Sequence, residues 1–273
     1  MDCAGRQEDN YPGRQPDNND RFQDSNCNGL SGADSFGESI EEKYCSQYQP
    51  KGIAILGDSA SAHFGIPERW MRPAEFNEKT FQSLFLSLVN ELDWPQVSWA
   101  TGMSDNCWKD DIISYADSQS DSIYQRYVEW NRCALNDYQN QANNGARSTN
   151  VLKLARGLSR KPEDKPQILF LSLIGNDVCN GKYPTEPSMT TEEEFRKKII
   201  ETLEHLETIL PKGSNLILTG LADGRILWDI LKDRIHPLGE FRQDVKYPDV
   251  YEYLNCLQVS PCHGWMTYDS DLS

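Results

Sequence analysis

The sequence predicts an α/β fold, a three-layer α/β/α sandwich around a parallel sheet, and three observations carry that prediction. Apolar runs of strand length recur along the chain: GIAIL (52–56), ILFLSLI (168–174) and NLILTGL (215–221). Segments with a helical period alternate with them, FQSLFLSLVNEL (81–92) after the first, a long amphipathic stretch after the second and ILWDILKD (226–233) after the third. Continuous apolar strands bounded by glycine and separated by helices are those of a parallel sheet covered on both faces.

In chain order, residues 1–50 come first and differ from everything after them. They are polar, rich in Asp, Asn, Gly, Pro and Gln, and show no sustained hydrophobic period. That composition alone describes a disordered arm, but Cys3, Cys27, Cys45 and several Tyr and Phe residues predict a loop segment tied down onto the remainder. The chain therefore divides at about residue 50, with 51–273 as the sandwich. Residues 103–125 are polar and irregular and are expected to form a long surface excursion. The clearest helix spans about 191–210. Thr191 and Glu194 make a capping box, acidic residues fill the first turn, and Phe195, Ile199, Leu203, Leu206 and Leu210 recur at three or four residues before Pro211 and Gly213 end it.

Charge and cysteine usage narrow the classes. With 27 Lys and Arg against 42 Asp and Glu among 273 residues, the net charge of −15 repels a phosphate backbone, so nucleic acid is excluded as a partner. The same field weakens simple adhesion to anionic membranes. No run is long enough to span a bilayer, so no transmembrane segment is expected. Eight cysteines without zinc spacing read as disulfides of an oxidising compartment, secreted or lysosomal, although MDCAGRQEDN lacks the apolar centre of a signal peptide and the sequence has no Asn-x-Ser/Thr site. The expectation is a processed portion of a secreted protein.

In parallel sheets ligands bind beyond the carboxyl ends of the strands, which directs attention to the loops after each apolar run. The first run leads straight into Gly57-Asp58-Ser59-Ala60-Ser61-Ala62-His63. A serine at a tight strand-to-helix turn sits on an apex with free helix-start N–H groups beside it, a geometry suited to a nucleophile. The same tripeptide also makes ordinary strand-end turns with a helix cap. After the second run, ILFLSLI, comes Gly175-Asn176-Asp177 with a side-chain amide donor, and between the first two runs lies Asn143-Asn144-Gly145. The Ser59 N–H, the Gly145 N–H and the Asn176 amide would form a three-donor hole for the tetrahedral intermediate of ester cleavage, each donor worth about 3 kcal/mol.

A second constellation lies upstream. Asp24-Ser25-Asn26-Cys27-Asn28-Gly29-Leu30 follows the first half of a calcium loop, with oxygen side chains at Asp24, Asn26 and Asn28, glycine at the sixth position and the Leu30 carbonyl at the seventh. Ser35 occupies the place of the final glutamate, so a complete EF-hand is excluded. Asp20 is the candidate for the missing carboxylate and Asp9 for a neighbouring site. Equally, these residue types form turn clusters without metal.

The order Gly-Asp-Ser, Gly, Gly-x-Asn-Asp resembles the SGNH (GDSL-type) hydrolases. The longer strings YPGRQP, QDSNCNG, GDSASAHF, NELDWPQ, DYQN, IGNDVCNGK, LADG, HPLG and LNCLQVSPCHGWM extend that likeness from about residue 9 to 266. They resemble the acyloxyacyl-cleaving branch of the superfamily, which removes secondary fatty acyl chains from the lipid A of lipopolysaccharide. The resemblance implies Ser59 as nucleophile, Gly145 and Asn176 as oxyanion donors, a lipid or lipopolysaccharide substrate, and structural Ca2+ in the segment holding Asp20, Asp24, Asn26, Asn28 and Leu30. It also implies two parts not seen here: a catalytic His in an Asp-x-x-His-Pro-type block, expected beyond Ser273, and a small saposin-like partner linked by a disulfide. Within the chain, Asp233-Arg234-Ile235-His236-Pro237 alone has the internal spacing of an Asp–His pair, with a helix-terminal histidine as the alternative. His63, one helical turn past Ser59, is expected to line the pocket, and His205 and His263 receive no role. Two competing readings are a non-catalytic lipid- or glycan-binding relative and a generic lipid or carbohydrate esterase.

Overall fold

In the computed structural model the described residues are 9–78, 80–81, 84–89, 91–103, 121–179, 181–182, 186–263 and 266. Four parallel strands, β1 (Gly52–Gly57), β2 (Tyr138–Asn140), β3 (Gln167–Ser172) and β4 (Asn215–Thr219), form one sheet in the order β2-β1-β3-β4. Around them run α1 (Ile40–Cys45), α2 (Ser59–Ala62), α3 (Glu68–Met71), α4 (Leu84–Val89), α5 (Ile123–Trp130), α6 (Ser148–Ala155), α7 (Glu192–Ile209), α8 (Arg225–Leu231) and α9 (Tyr247–Cys256).

The pleat divides the strand residues between two cores, as a sheet covered on both sides requires. Ala54, Leu56, Leu169 and Leu171 pack with Val151 and Ala155 of α6 and with Ile199 and Leu206 of α7. Ile53, Ile55 and Phe170 face the other way, against Ala100 and Tyr124 of α5. Helix, sheet and helix layers are thus in place, and the fold is the α/β sandwich expected. α7 begins one residue after its capping residue, with the Thr191 hydroxyl accepting from the Glu194 N–H at 3.2 Å. Leu210 turns extended ahead of Pro211.

Several expectations are corrected. Of the helix expected over 81–92, α4 is present, residues 81, 91 and 92 are turns and residues 82, 83 and 90 lie outside the described residues; the element that directly follows β1 is the four-residue α2. β2 has no apolar run and was not anticipated. Of the excursion expected over 103–125, residues 104–120 lie outside the described residues, while Tyr124 at its end is wholly buried and its hydroxyl accepts from the Asn136 N–H at 2.6 Å.

The amino-terminal segment is stitched to the sandwich by polar links. Gly13 O accepts from the Lys165 N–H at 2.8 Å and from Arg160 at 3.1 Å, Tyr11 donates to Asp164 at 2.8 Å, and Asn136 donates to Cys27 O at 2.8 Å. Disulfides join Cys45 to Cys133 and Cys179 to Cys262, and Cys27 is disulfide-bonded too. Closing loops of 88 and 83 residues removes freedom mainly from the unfolded chain. Cys256 is free and exposed, which corrects the expectation that all eight cysteines pair; Cys3 and Cys107 lie outside the described residues.

Candidate active site

At the end of β1 the chain turns in very little space. A Cβ on Gly57 would lie 2.4 Å from Ser61 Oγ and 2.7 Å from Ser172 O, so only glycine fits between α2 and β3. Asp58 then caps α2. Its Oδ1 accepts from the Ala60 N–H at 3.2 Å and its Oδ2 from the Ile174 N–H at 2.6 Å, which pins the nucleophile turn to the loop after β3. Burial pushes the Asp58 carboxyl above its usual range, and the backbone N–H groups pull in the opposite direction. Ser59, half-buried, is the first residue of α2.

The loop after β2 is braced from two sides. Asn143 N–H donates to Gly57 O at 3.1 Å, and Asn144 N–H donates to Asp93 Oδ2 at 2.9 Å. Gly145 follows in a left-handed conformation, φ +77°, and a Cβ there would meet nothing within 4 Å. After β3, the Asn176 side chain donates to Ala146 O at 3.0 Å, which joins the Asn176 and Gly145 loops directly. Asp177 is buried and accepts from the Ser148 N–H at 2.9 Å and the Ser148 hydroxyl at 2.6 Å. Arg147 spans Asp177 O, Ser188 O and Thr190 Oγ1 at 3.3, 3.0 and 2.8 Å.

Ser59, Gly145 and Asn176 therefore follow three laterally adjacent strands, β1, β2 and β3, at their common carboxyl end. Among the described residues no hydrogen bond occupies the Ser59 N–H, the Gly145 N–H or the Ser59 hydroxyl, and the Asn176 amide commits one donor to Ala146. Uncommitted donors on a fixed frame are what stabilises a developing oxyanion without reorganisation. Sequence reasoning passed over the residues that build this frame: Asp58, Asp93, Asp177 and Arg147. Three of them stand in the quoted blocks, Asp58 in GDSASAHF, Asp93 in NELDWPQ and Asp177 in IGNDVCNGK, and for Asp58 and Asp177 a carboxylate close to a turn glycine was the available signal.

The histidines depart from expectation. α2 ends at Ala62, and His63 is left-handed, φ 57°, and exposed, so it does not continue a helical face from Ser59. His236 is buried, its ring set edge-on to Tyr247 at 4.7 Å, and its Nδ1 accepts from the Leu238 N–H at 3.2 Å. Burial holds its pKa below the usual imidazole value. A triad histidine donates from Nδ1 to a carboxylate. Here Nδ1 is an acceptor, and Asp233 points outward, 81% exposed, with Lys246 at 3.5 Å, so the Asp233–His236 pair expected from spacing is not formed. His205 is half-buried on α7 and His263 half-buried after Cys262.

In the upstream loop, Asp24 accepts from the Asn28 and Gly29 N–H groups at 3.2 and 2.8 Å, Asn26 from Asn28 N–H at 3.1 Å, and Asn28 from Leu30 N–H at 2.8 Å. The amides of Asn26 and Asn28 donate to Glu41 at 2.9 and 2.7 Å, and Lys165 reaches Glu41 at 3.2 Å. Glu41, buried on α1, was not anticipated. Asp20 is wholly buried; one oxygen accepts from the Ser25 hydroxyl and the other, Oδ2, has no hydrogen-bond partner. Burial raises the Asp20 pKa and the nearby Glu41 charge adds to that, while the Ser25 bond opposes it. Among the described residues no group of three His, Cys, Asp or Glu side chains gathers as a metal cage. The orphaned Asp20 oxygen is a hard, anionic atom of the kind that Ca2+ accepts. Asp9 is exposed, its carbonyl engaged by Arg14 at 2.6 Å.

The class follows from comparison with known proteins. Residues 53–254 match the GDSL-like lipase/acylhydrolase family, and the chain belongs to it. Among its relatives, human acyloxyacyl hydrolase is 47% identical over 273 residues, the rabbit (Oryctolagus cuniculus) enzyme 46% over 275 and the mouse enzyme 44% over 273. Each alignment covers 99% of this chain and 46% of the relative, so the chain spans about half the length of the curated relatives it matches.

Proposed function

We propose that this chain carries the nucleophile and oxyanion donors of a serine ester hydrolase that removes secondary, acyloxyacyl-linked fatty chains from a lipid such as lipopolysaccharide lipid A. Ser59 Oγ attacks the ester carbonyl; the Ser59 and Gly145 N–H groups and the Asn176 amide receive the oxyanion; collapse releases the alcohol and leaves an acyl-serine that water cleaves. The observation that supports the reading is that, among the described residues, donors after three neighbouring strands are uncommitted and no hydrogen bond occupies the Ser59 hydroxyl. The proton acceptor in this proposal is a histidine of the Asp-x-x-His type that the family resemblance implies beyond Ser273; the occupied Nδ1 of His236 and the outward Asp233 support that choice over the internal pair. The substrate class rests on the similarity to acyloxyacyl hydrolases and on the family.

Ca2+ held by Asp20 with Asn26, Asn28, Asp24 and the Leu30 carbonyl would neutralise the buried carboxylates and order the amino-terminal segment. A saposin-like subunit as partner and a secreted or lysosomal location belong to the same proposal, and the disulfides agree with an oxidising compartment. A second reading, a non-catalytic lipid- or glycan-binding relative, is favoured by one observation: no Asp–His pair forms at His236.

A fluorophosphonate probe decides between them. With the catalytic histidine present, labelling that is lost in Ser59→Ala is expected; a folded protein so completed that stays unlabelled, or labelling retained in Ser59→Ala, contradicts the hydrolase reading.

A further inference from the structure

Among the described residues, none between α2 and Trp94 belongs to the two core clusters; the chain leaves α2 and returns to it. Phe64 N–H donates to Ser59 O at 2.8 Å, Gly65 N–H to Leu92 O at 3.1 Å, Trp94 Nε1 to Gly65 O at 3.0 Å and Trp94 N–H to Ala62 O at 3.0 Å. The next residue inward, Asp93, braces the Gly145 loop through Asn144. Both ends of the excursion are thus fastened to the catalytic rim.

Among its described residues, several large apolar side chains are exposed alongside charged ones. Phe85 is 80% exposed and Val89 61%, and Phe64, Ile66, Phe76 and Phe81 are also exposed. Phe85 and Val89 lie four apart on α4 and so share one face. Phe81 is steadied by ring contacts with Phe76 at 5.6 Å and Trp70 at 5.7 Å, and the Trp70 indole donates to Thr80 O at 2.7 Å. An ordered, self-packed element that turns its aromatic and aliphatic side chains to solvent marks an interaction surface.

We propose that this excursion docks the protein onto the surface of a lipid aggregate, with Phe85 and Val89 inserted into its apolar layer, so that an acyl ester is presented beside Ser59. The inference rests on the acyl-hydrolase reading for its purpose. The occupant is fixed by two facts: the surface is continuous with the rim of a lipase/acylhydrolase site, and the chain carries a net charge of −15. That charge opposes electrostatic capture by an anionic interface and leaves apolar insertion as the means of attachment.

The test is flotation with phosphatidylcholine vesicles, using Ser59→Ala protein so that binding is read without turnover. We expect binding that persists from about 0.05 to 0.5 M salt, because apolar insertion is not screened. Phe85→Ser should weaken partition about tenfold and Phe85→Ser/Val89→Ser on the order of a hundredfold, from the apolar transfer lost at each side chain. Phe85→Trp should retain it, since the indole suits the interface. These side chains are exposed, and a far-ultraviolet spectrum and melting curve matching the parent establish that each variant is folded. Parent protein that fails to float, a double variant that floats equally, or binding abolished by salt overturns the proposal. So does a result in which the double variant only dissolves a dimer seen by sedimentation. Fluorophosphonate labelling of Ser59 in lipid-free buffer reports on the hydrolase reading separately, so the two failures are distinguishable.

Discussion

Two groups of buried carboxylates divide this molecule, and they are held by different means. At the carboxyl end of the sheet, Asp58 and Asp177 turn their oxygens onto backbone N–H groups and the Ser148 hydroxyl, and in doing so tie the β1, β2 and β3 loops to one another. In the amino-terminal segment, Asp20 keeps one oxygen without a partner, and Glu41 is held by Lys165 and two asparagine amides. The first cluster is complete with the residues it has and serves to position donors. The second retains an unsatisfied negative oxygen out of water, which favours a bound cation.

The contrast predicts how each cluster responds to perturbation. The largest effect belongs to the donors that the first cluster positions. Asn176→Ala should slow phosphonylation of Ser59 by about 10²–10³-fold, the value of one oxyanion donor, while the melting temperature moves little because only the bond to Ala146 O is lost. An unchanged labelling rate would remove Asn176 from the site.

Next comes the frame itself. Asp177→Ala strands the Ser148 N–H and hydroxyl in a buried setting, and should destabilise the protein by about 3 kcal/mol, a fall of roughly 5–10 °C in melting temperature. A shift under about 1 °C would show that the carboxylate is dispensable.

The second cluster should answer to chelation. Adding a calcium chelator should lower the melting temperature, by RT ln(1 + [Ca2+]/Kd), about 2.7 kcal/mol at a hundredfold excess over Kd. Asp20→Asn should abolish that response. The pH dependence has a definite sign. Burial raises the folded-state pKa of Asp20, so the metal-free protein binds that proton more tightly folded than unfolded. Its stability should therefore decline as pH rises from the ordinary carboxylate value through the raised one, and level off above it. Calcium or Asp20→Asn should flatten the slope contributed by this group, and a chelated protein with the same pH profile as Asp20→Asn would contradict the assignment.

The smallest effect is expected at His236. Its Nδ1 accepts from the Leu238 N–H and its ring packs on Tyr247, so His236→Ala should cost stability of about 1–2 kcal/mol yet change labelling by less than about twofold. Loss of labelling in a folded variant would restore it as the base.

The same chain shows where residue patterns carry structural information and where they do not. β1 and β3 were legible because strands buried on both faces must be apolar throughout, as GIAIL and ILFLSLI are. NLILTGL has much the same composition, yet Ile217 and Leu218 of β4 are exposed, because β4 has a described neighbour on one side only. Composition identifies a strand without giving its place in the sheet. β2, three residues paired with Ile53–Ile55, has no pattern of its own to read. In the proposed site, Ser59 and Asn176 stand in glycine-bearing turns after strands read from the sequence, whereas Gly145 was picked out only as a glycine between them, its own strand β2 being unread. Asp58 and Asp177 were not, because their work is done through space on N–H groups distant in sequence. The Asp233-x-x-His236 spacing, kept only as the less favoured source of a base, does not form a pair for a related reason. Once α8 has ended, the turn at Pro237 takes up Nδ1 and Asp233 faces solvent, an outcome decided by backbone geometry that spacing does not encode.

The most direct measurement is the structure of the fluorophosphonate adduct. The account predicts phosphorus bonded to Ser59 Oγ, with the phosphoryl oxygen about 2.7–3.1 Å from the Ser59 nitrogen, the Gly145 nitrogen and Asn176 Nδ2. An adduct on another residue, or a phosphoryl oxygen turned to solvent away from those three donors, would contradict it.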